Sequence, residues 1–115
     1  MSEGKCIAQA GHAYTDTLLA HLQTDHGRAY AALRPGTKIS LAGGSEDDLL
    51  RLAERLALAG IPHVTITDSG HVEAPDFDGS PVLTAIGVGP IPRALAPRFL
   101  AKLKRYGDHR VTKPP

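Results

Sequence analysis

Hydrophobic positions recur at helical spacing in three stretches of the chain and alternate or run together in three others. Ile7, Tyr14, Leu18 and Leu22, with Ala8, Ala10, Ala13 and Ala20 around them, predict a helix from about Ser2 to His21. Ser2 suits its N-cap and Glu3 the positive end of its dipole. Gly11 inside that helix costs about 1 kcal/mol against Ala, which suggests close packing. Leu49, Leu52, Ala53 and Leu56 mark a second helix, opened by Ser45, Asp47 and Asp48 and stopped by Gly60 and Pro62. Leu95, Phe99 and Leu103 suggest a third, from Pro92 to Gly107. Lys38 to Ala42 alternates as a strand before Gly43-Gly44, and Pro62 to Thr67 is a β-branched strand. Val82 to Val88 is apolar almost throughout, as in a strand covered on both faces. Between the first helix and the first strand, Tyr30, Ala31 and Leu33 form at most a short helical turn before Arg34-Pro35-Gly36 breaks the chain. The order of elements predicts an α/β fold: a small mixed β-sheet of three to four strands sandwiched by helices. One domain is expected over residues 1–107, with a mobile tail over 108–115.

Composition narrows the function classes. The chain has 115 residues, 42% hydrophobic and 22% charged, the balance of one globular domain. Its apolar runs are too short for a membrane span, and Met1 to Lys5 lacks the apolar centre of a signal peptide, so a cytoplasmic protein is expected. Cys6 is the single cysteine, which excludes an internal disulfide and a multi-cysteine zinc site. The net charge of +1 hides a split. Residues 42–79 hold eight acids and two bases, whereas residues 91–115 hold seven bases and one acid. The basic segment reads either as a polyanion contact or as a solvated helix face.

Three places could carry chemistry. Lys5, Gln9, His12 and Asp16 fall within about 60° of one another on a helical wheel, one stripe down the first helix. A cation, an amide and an imidazole starting at an anion-friendly helix end would suit a phosphate-bearing substrate. Spacing alone favours the solvent face of an ordinary amphipathic helix, because half of any such helix is polar. Asp68-Ser69-Gly70-His71 follows a predicted strand, where open α/β sheets bind ligands; the same residues also suit a plain Asx-type turn. Gly87-Val88-Gly89-Pro90 lacks a full dinucleotide pattern and reads as a connection. His12, His63 and His71 show no metal-ligand spacing, so no metal is expected; Ser69 has no nucleophile-elbow pattern around it. Lys5 and a helix end would lower the Cys6 pKa, although a small buried cysteine is the commoner case.

Gly4-Lys5-Cys6-Ile7-Ala8-Gln9-Ala10-Gly11-His12-Ala13 resembles the Gly-Lys-x-x-Ala-Gln-x-x-His-Ala signature of the archaeal and eukaryotic type of peptidyl-tRNA hydrolase. Asp68 to His71 is similar to that family's Asp-Ala-Gly-x turn, Val82 to Pro90 to its closing strand and Gly-x-Gly-Pro connection, and Pro92 to Tyr106 to its last helix. The resemblance covers about Ser2 to Tyr106. It implies an esterase, without metal or cofactor, that cuts the bond between a peptide and the terminal ribose of tRNA. It places Lys5, Gln9, His12 and Asp68 on motif positions, with Lys5 and Asp68 expected within roughly 10 Å of each other. Lys38, Arg98, Lys102 and Arg105 are the expected RNA contacts. The alternatives are a non-catalytic relative that binds tRNA or a protein, and an esterase for another acyl ester.

Three departures from the family pattern bear on this, one of them a loop from Glu73 to Asp78 more acidic than suits an RNA contact. Val72 and Glu73 stand where the family usually has Thr and Gln. Met1-Ser2-Glu3-Gly4-Lys5 resembles the inner part of a stretch that, in the family, follows a first hydrophobic strand, so that either this is a shortened version or the true start lies upstream. Without that strand the sheet would expose backbone pairing groups. The chain is therefore expected to be marginal alone or to self-associate as a homodimer.

Overall fold

The computed structural model describes residues 2–68, 72–73, 77–78 and 81–106. Helix α1 spans Glu3–Ala20, and the Ser2 hydroxyl caps it by accepting from the Lys5 backbone N–H. Helix α2, Asp25–Ala31, occupies the stretch expected to hold only a short turn; the Thr24 hydroxyl caps it by accepting from the Gly27 N–H. Helix α3, Glu46–Leu58, opens on a reciprocal capping box between Ser45 and Asp48. Leu49 and Leu56 on its apolar stripe are buried, Leu56 completely.

Among the described residues four strands follow, in two sheets: β1 (His63–Asp68), β2 (Val72–Glu73), β3 (Phe77–Asp78) and β4 (Val82–Val88). β1 and β4 pair antiparallel, from His63 opposite Val88 to Asp68 opposite Val82. β2 and β3 form a separate short ladder. α1 and α3 both pack on the β1–β4 pair. The fold is α/β, and its sheets among the described residues are antiparallel. Ala13, Leu49, Leu56, Ile66, Val82, Leu83 and Leu100 make the apolar core.

α1 meets the sheet through a different face from the one its large apolar residues suggest. Gln9, Ala13 and Thr17 are buried, while Ile7 is 64% exposed. The cause is the closeness of β4. A Cβ added to Gly87 would run into the Ala13 carbonyl and come within 2.9 Å of the Thr17 Cβ. Only small or hydrogen-bonding side chains fit such a contact, and the Thr17 hydroxyl uses it to donate to the Gly89 carbonyl at 2.6 Å.

Two expected elements differ. Lys38 to Ala42 is no regular strand: Leu41 forms one isolated antiparallel bridge with Arg105, flanked by Ala42 N–H donating to the Lys104 carbonyl and Tyr106 N–H to the Ser40 carbonyl, both at 2.8 Å. A strand needs a ladder, and among the described residues this segment has only that short partner. The single helix expected from Pro92 to Gly107 is instead a 3₁₀ turn, Arg93–Leu95, and a short helix α4, Arg98–Ala101. Pro97 has no N–H to continue a helix, and it holds Ala96 extended at ψ 130°. As a result Leu95 is 58% exposed, and Leu100 rather than Leu95 enters the core. Ser69 to His71 and the expected tail lie outside the described residues. No helix of the described residues is long and apolar enough to cross a membrane.

Candidate active site

The last residue of β1 and the first turn of α1 meet in an ion pair. Lys5 Nζ lies 3.0 Å from Asp68 Oδ2. The antiparallel pairing carries Asp68 to the end of β1 beside Val82, and the packing of α1 on β1 brings Lys5 across to it. The two side chains are 37% and 20% exposed, while Asp68 Oδ2 itself is shielded from solvent. The pair is thus partly open to solvent and sheltered enough for charge to act more strongly than in bulk water.

Gln9 stands one helical turn further along the same face of α1. It is buried, and its Nε2 donates to Thr84 Oγ1 at 2.8 Å. Thr84 in turn donates to the Ile66 carbonyl at 3.2 Å. The β1–β4 register shifts between Ile66 and Thr67, so Thr84 pairs with no β1 residue; this bulge aims its hydroxyl at α1. Thr84 was not among the residues singled out from the sequence. Its signal was a hydroxyl in the middle of the otherwise apolar run from Val82 to Val88.

His12 and Asp16 continue the helical stripe but are exposed. His12 sits about 10 Å beyond Lys5 along the helix axis, and no hydrogen bond or ion pair joins it to the Lys5–Asp68 pair. The structure thus brings together Lys5 and Gln9 from the helical stripe and Asp68 from the end of β1, and leaves His12 at the margin.

The four expected RNA contacts are all exposed. They do not share one helix. Lys38 lies in the extended segment, 5.5 Å from the centre of the Tyr30 ring. Arg98 opens α4, Lys102 caps its end, and Arg105 faces Leu41 in the isolated bridge. Cys6 is half-buried beside Tyr106, whose phenol its hydrogen bond pushes above the usual range. Among the described residues no three His, Cys, Asp or Glu side chains gather as a metal-binding group.

The family model for peptidyl-tRNA hydrolase PTH2 matches residues 1–106. The chain belongs to the peptidyl-tRNA hydrolase PTH2 family. Named relatives agree. A peptidyl-tRNA hydrolase of Pyrobaculum aerophilum is 37% identical over 109 residues, 92% of this chain and 88% of that one. One from Staphylothermus marinus is 32% identical over 105 residues, 90% of this chain and 84% of the relative. One from Haloquadratum walsbyi is 30% identical over 108 residues, covering 92% and 89%. The PTH2 match includes every residue of the Lys5, Gln9, Thr84 and Asp68 constellation.

Proposed function

We propose that this chain hydrolyses the ester joining a peptide or an N-blocked amino acid to the terminal ribose of tRNA, with Lys5 and Asp68 at the reacting centre. Membership of the PTH2 family supports the activity. The observation that carries the residue assignment is the 3.0 Å approach of Lys5 to Asp68, two residues far apart in sequence.

In this reading Asp68 orients a water and takes its proton as the oxygen attacks the ester carbonyl. The Lys5 ammonium stabilises the oxyanion that forms, or holds the terminal phosphate of the tRNA. Collapse of the intermediate breaks the bond to the ribose oxygen, which receives the proton Asp68 had accepted. The products are a peptide carboxylate and a free tRNA terminus. Gln9 positions the ester, held by Thr84, and His12 at the margin meets the ribose. Val72 and Glu73 stand at usual Thr and Gln positions, and in this reading the Gln9 amide and the Thr84 hydroxyl bonded to it supply polar groups on the Lys5 face of α1. Lys38, Arg98, Lys102 and Arg105 follow the tRNA backbone. The reading implies a cytoplasmic enzyme that recycles stalled peptidyl-tRNA. The test is incubation with N-blocked aminoacyl-tRNA, scored for released tRNA. Binding without release would make the chain a non-catalytic relative.

A further inference from the structure

The register shift in the β1–β4 ladder has a second anchor, on α3. Gly89 N–H donates to the Pro62 carbonyl at 2.7 Å, which makes those two residues a hydrogen-bonded pair. Alternation then makes hydrogen-bonded pairs of Val64 with Gly87 and of Ile66 with Ala85. Continued without a shift, the ladder would set Leu83 opposite Asp68, with its N–H turned to β1. Instead Thr67 stands opposite Leu83 and Asp68 opposite Val82. In this register the Leu83 N–H donates to Glu46 Oε2 at 2.8 Å. Glu46 is the first residue of α3, and its helix is capped without it, by Ser45 and Asp48. The shift also decides which face Thr84 takes. Gly87 faces α1, close to Ala13 and Thr17. Side chains alternate along a strand, so Ala85 shares that face and Thr84 would take the opposite one. Yet Thr84 Oγ1 accepts from Gln9 Nε2 of α1 at 2.8 Å. The extra residue at the shift is what turns it round.

We propose that Glu46 is a positioning residue for the hydrolysis: by holding the Leu83 N–H it fixes the shifted register, and so sets both the Gln9–Thr84 contact and the place of Asp68 against β4. The proposal rests on the reading that Asp68 and Gln9 serve ester hydrolysis. Two registers compete for the same pair of strands. In the regular one the Leu83 N–H finds its acceptor in β1, and no bulge is needed. In the shifted one that N–H needs an acceptor outside the ladder, because a sheltered N–H left without one is costly. A side chain at the start of α3 must reach across to β4 to supply it, and a glutamate does. Slippage to the regular register would move Asp68 by one residue against β4. It would also turn Thr84 to the face away from α1 and strip the buried Gln9 of its acceptor. Because the bond of Glu46 is to the backbone of β4 and not to a proposed RNA contact, kcat should change and KM should not.

The test uses the full chain and two variants that separate charge from reach. Glu46→Asp keeps a carboxylate at the positive end of the helix but is one methylene shorter, whereas Glu46→Gln loses the charge and keeps an acceptor at the same distance. Glu46→Asp should lower kcat for release of tRNA from N-blocked aminoacyl-tRNA by about tenfold or more, with KM within about twofold, and Glu46→Gln should stay within about threefold of the parent. Cross-strand nuclear Overhauser contacts read the register directly. Thr67 should face Leu83 in the parent and in Glu46→Gln, and Thr84 in Glu46→Asp. Combining Glu46→Asp with Thr84→Val should be hardly slower than the slower single variant, since both act through one contact. A Glu46→Asp chain with the parental register or the parental kcat would overturn the proposal, and so would a Glu46→Gln chain as slow as Glu46→Asp. A parent that releases no tRNA would defeat the activity reading instead, and the register of Glu46→Asp would then decide the role of Glu46 alone.

Discussion

A carboxylate and an ammonium at 3.0 Å each depend on the other, and their substitutions should separate chemistry from folding. Asp68→Asn keeps the shape and removes the proton acceptor, so kcat should fall about 100-fold or more while Tm moves by only a few degrees. Lys5→Met should lose a similar factor. Release of tRNA in single turnover checks the first quantity and thermal melting the second. Thr84 should behave differently. Thr84→Val leaves the buried Gln9 amide without its acceptor, at a cost of about 1–3 kcal/mol, so Tm should drop together with activity. At this scale the sequence was readable where chemistry and periodicity coincide: Lys5 and Gln9 share a helical stripe, and Asp68 ends a β-branched run. His12 shares the stripe too, and a wheel gives angle but not distance: seven positions at about 1.5 Å each set it about 10 Å along the helix from Lys5. Thr84 was hidden because its role comes from a register shift, which depends on the partner strand.

Among the elements, α3 was legible to its cap because its signals are local: Ser45 and Asp48 bond each other across one turn. Those bonds, with the neighbouring Arg51, hold the Asp48 carboxyl below the ordinary carboxylate range, the Ser45 backbone N–H being the largest cause. A lowered folded-state pKa means stability present above the unfolded value of about 4 and lost as pH falls through the folded one. Asp48→Asn should therefore melt below the parent at neutral pH, and the two curves should converge on acidification. A difference that persists at pH 2 would assign the effect to packing. The segments from Lys38 to Ala42 and from Pro92 to Gly107 were less legible for opposite reasons. Alternation predicts a strand only if a ladder exists beside it, which is a long-range fact. The proline at position 97 was visible, but the apolar spacing of Leu95, Phe99 and Leu103 ran across it and masked the break.

For the whole molecule, the clustering of basic residues near the C-terminal end was plain in the sequence, whereas their spread over an extended segment, a short helix and a bridge was not. Affinity for tRNA should fall steeply with salt as phosphate contacts release counterions. Replacing Lys102 and Arg105 together should weaken binding and flatten the slope of log K against log salt by about 2, with no change in the circular dichroism spectrum. A slope unaffected by that double change would place the tRNA elsewhere. The docking of α1 against Gly87 also has a bearing on synthesis. The helix is made first, yet the strands that hold it, β1 and β4, come from the second half of the chain. On the ribosome the N-terminal helix waits, bare on the face that carries Gln9, Ala13 and Thr17, until translation has passed Val88. Nascent chains halted before that point should be cleaved readily by protease within α1, and chains halted well beyond it should be protected.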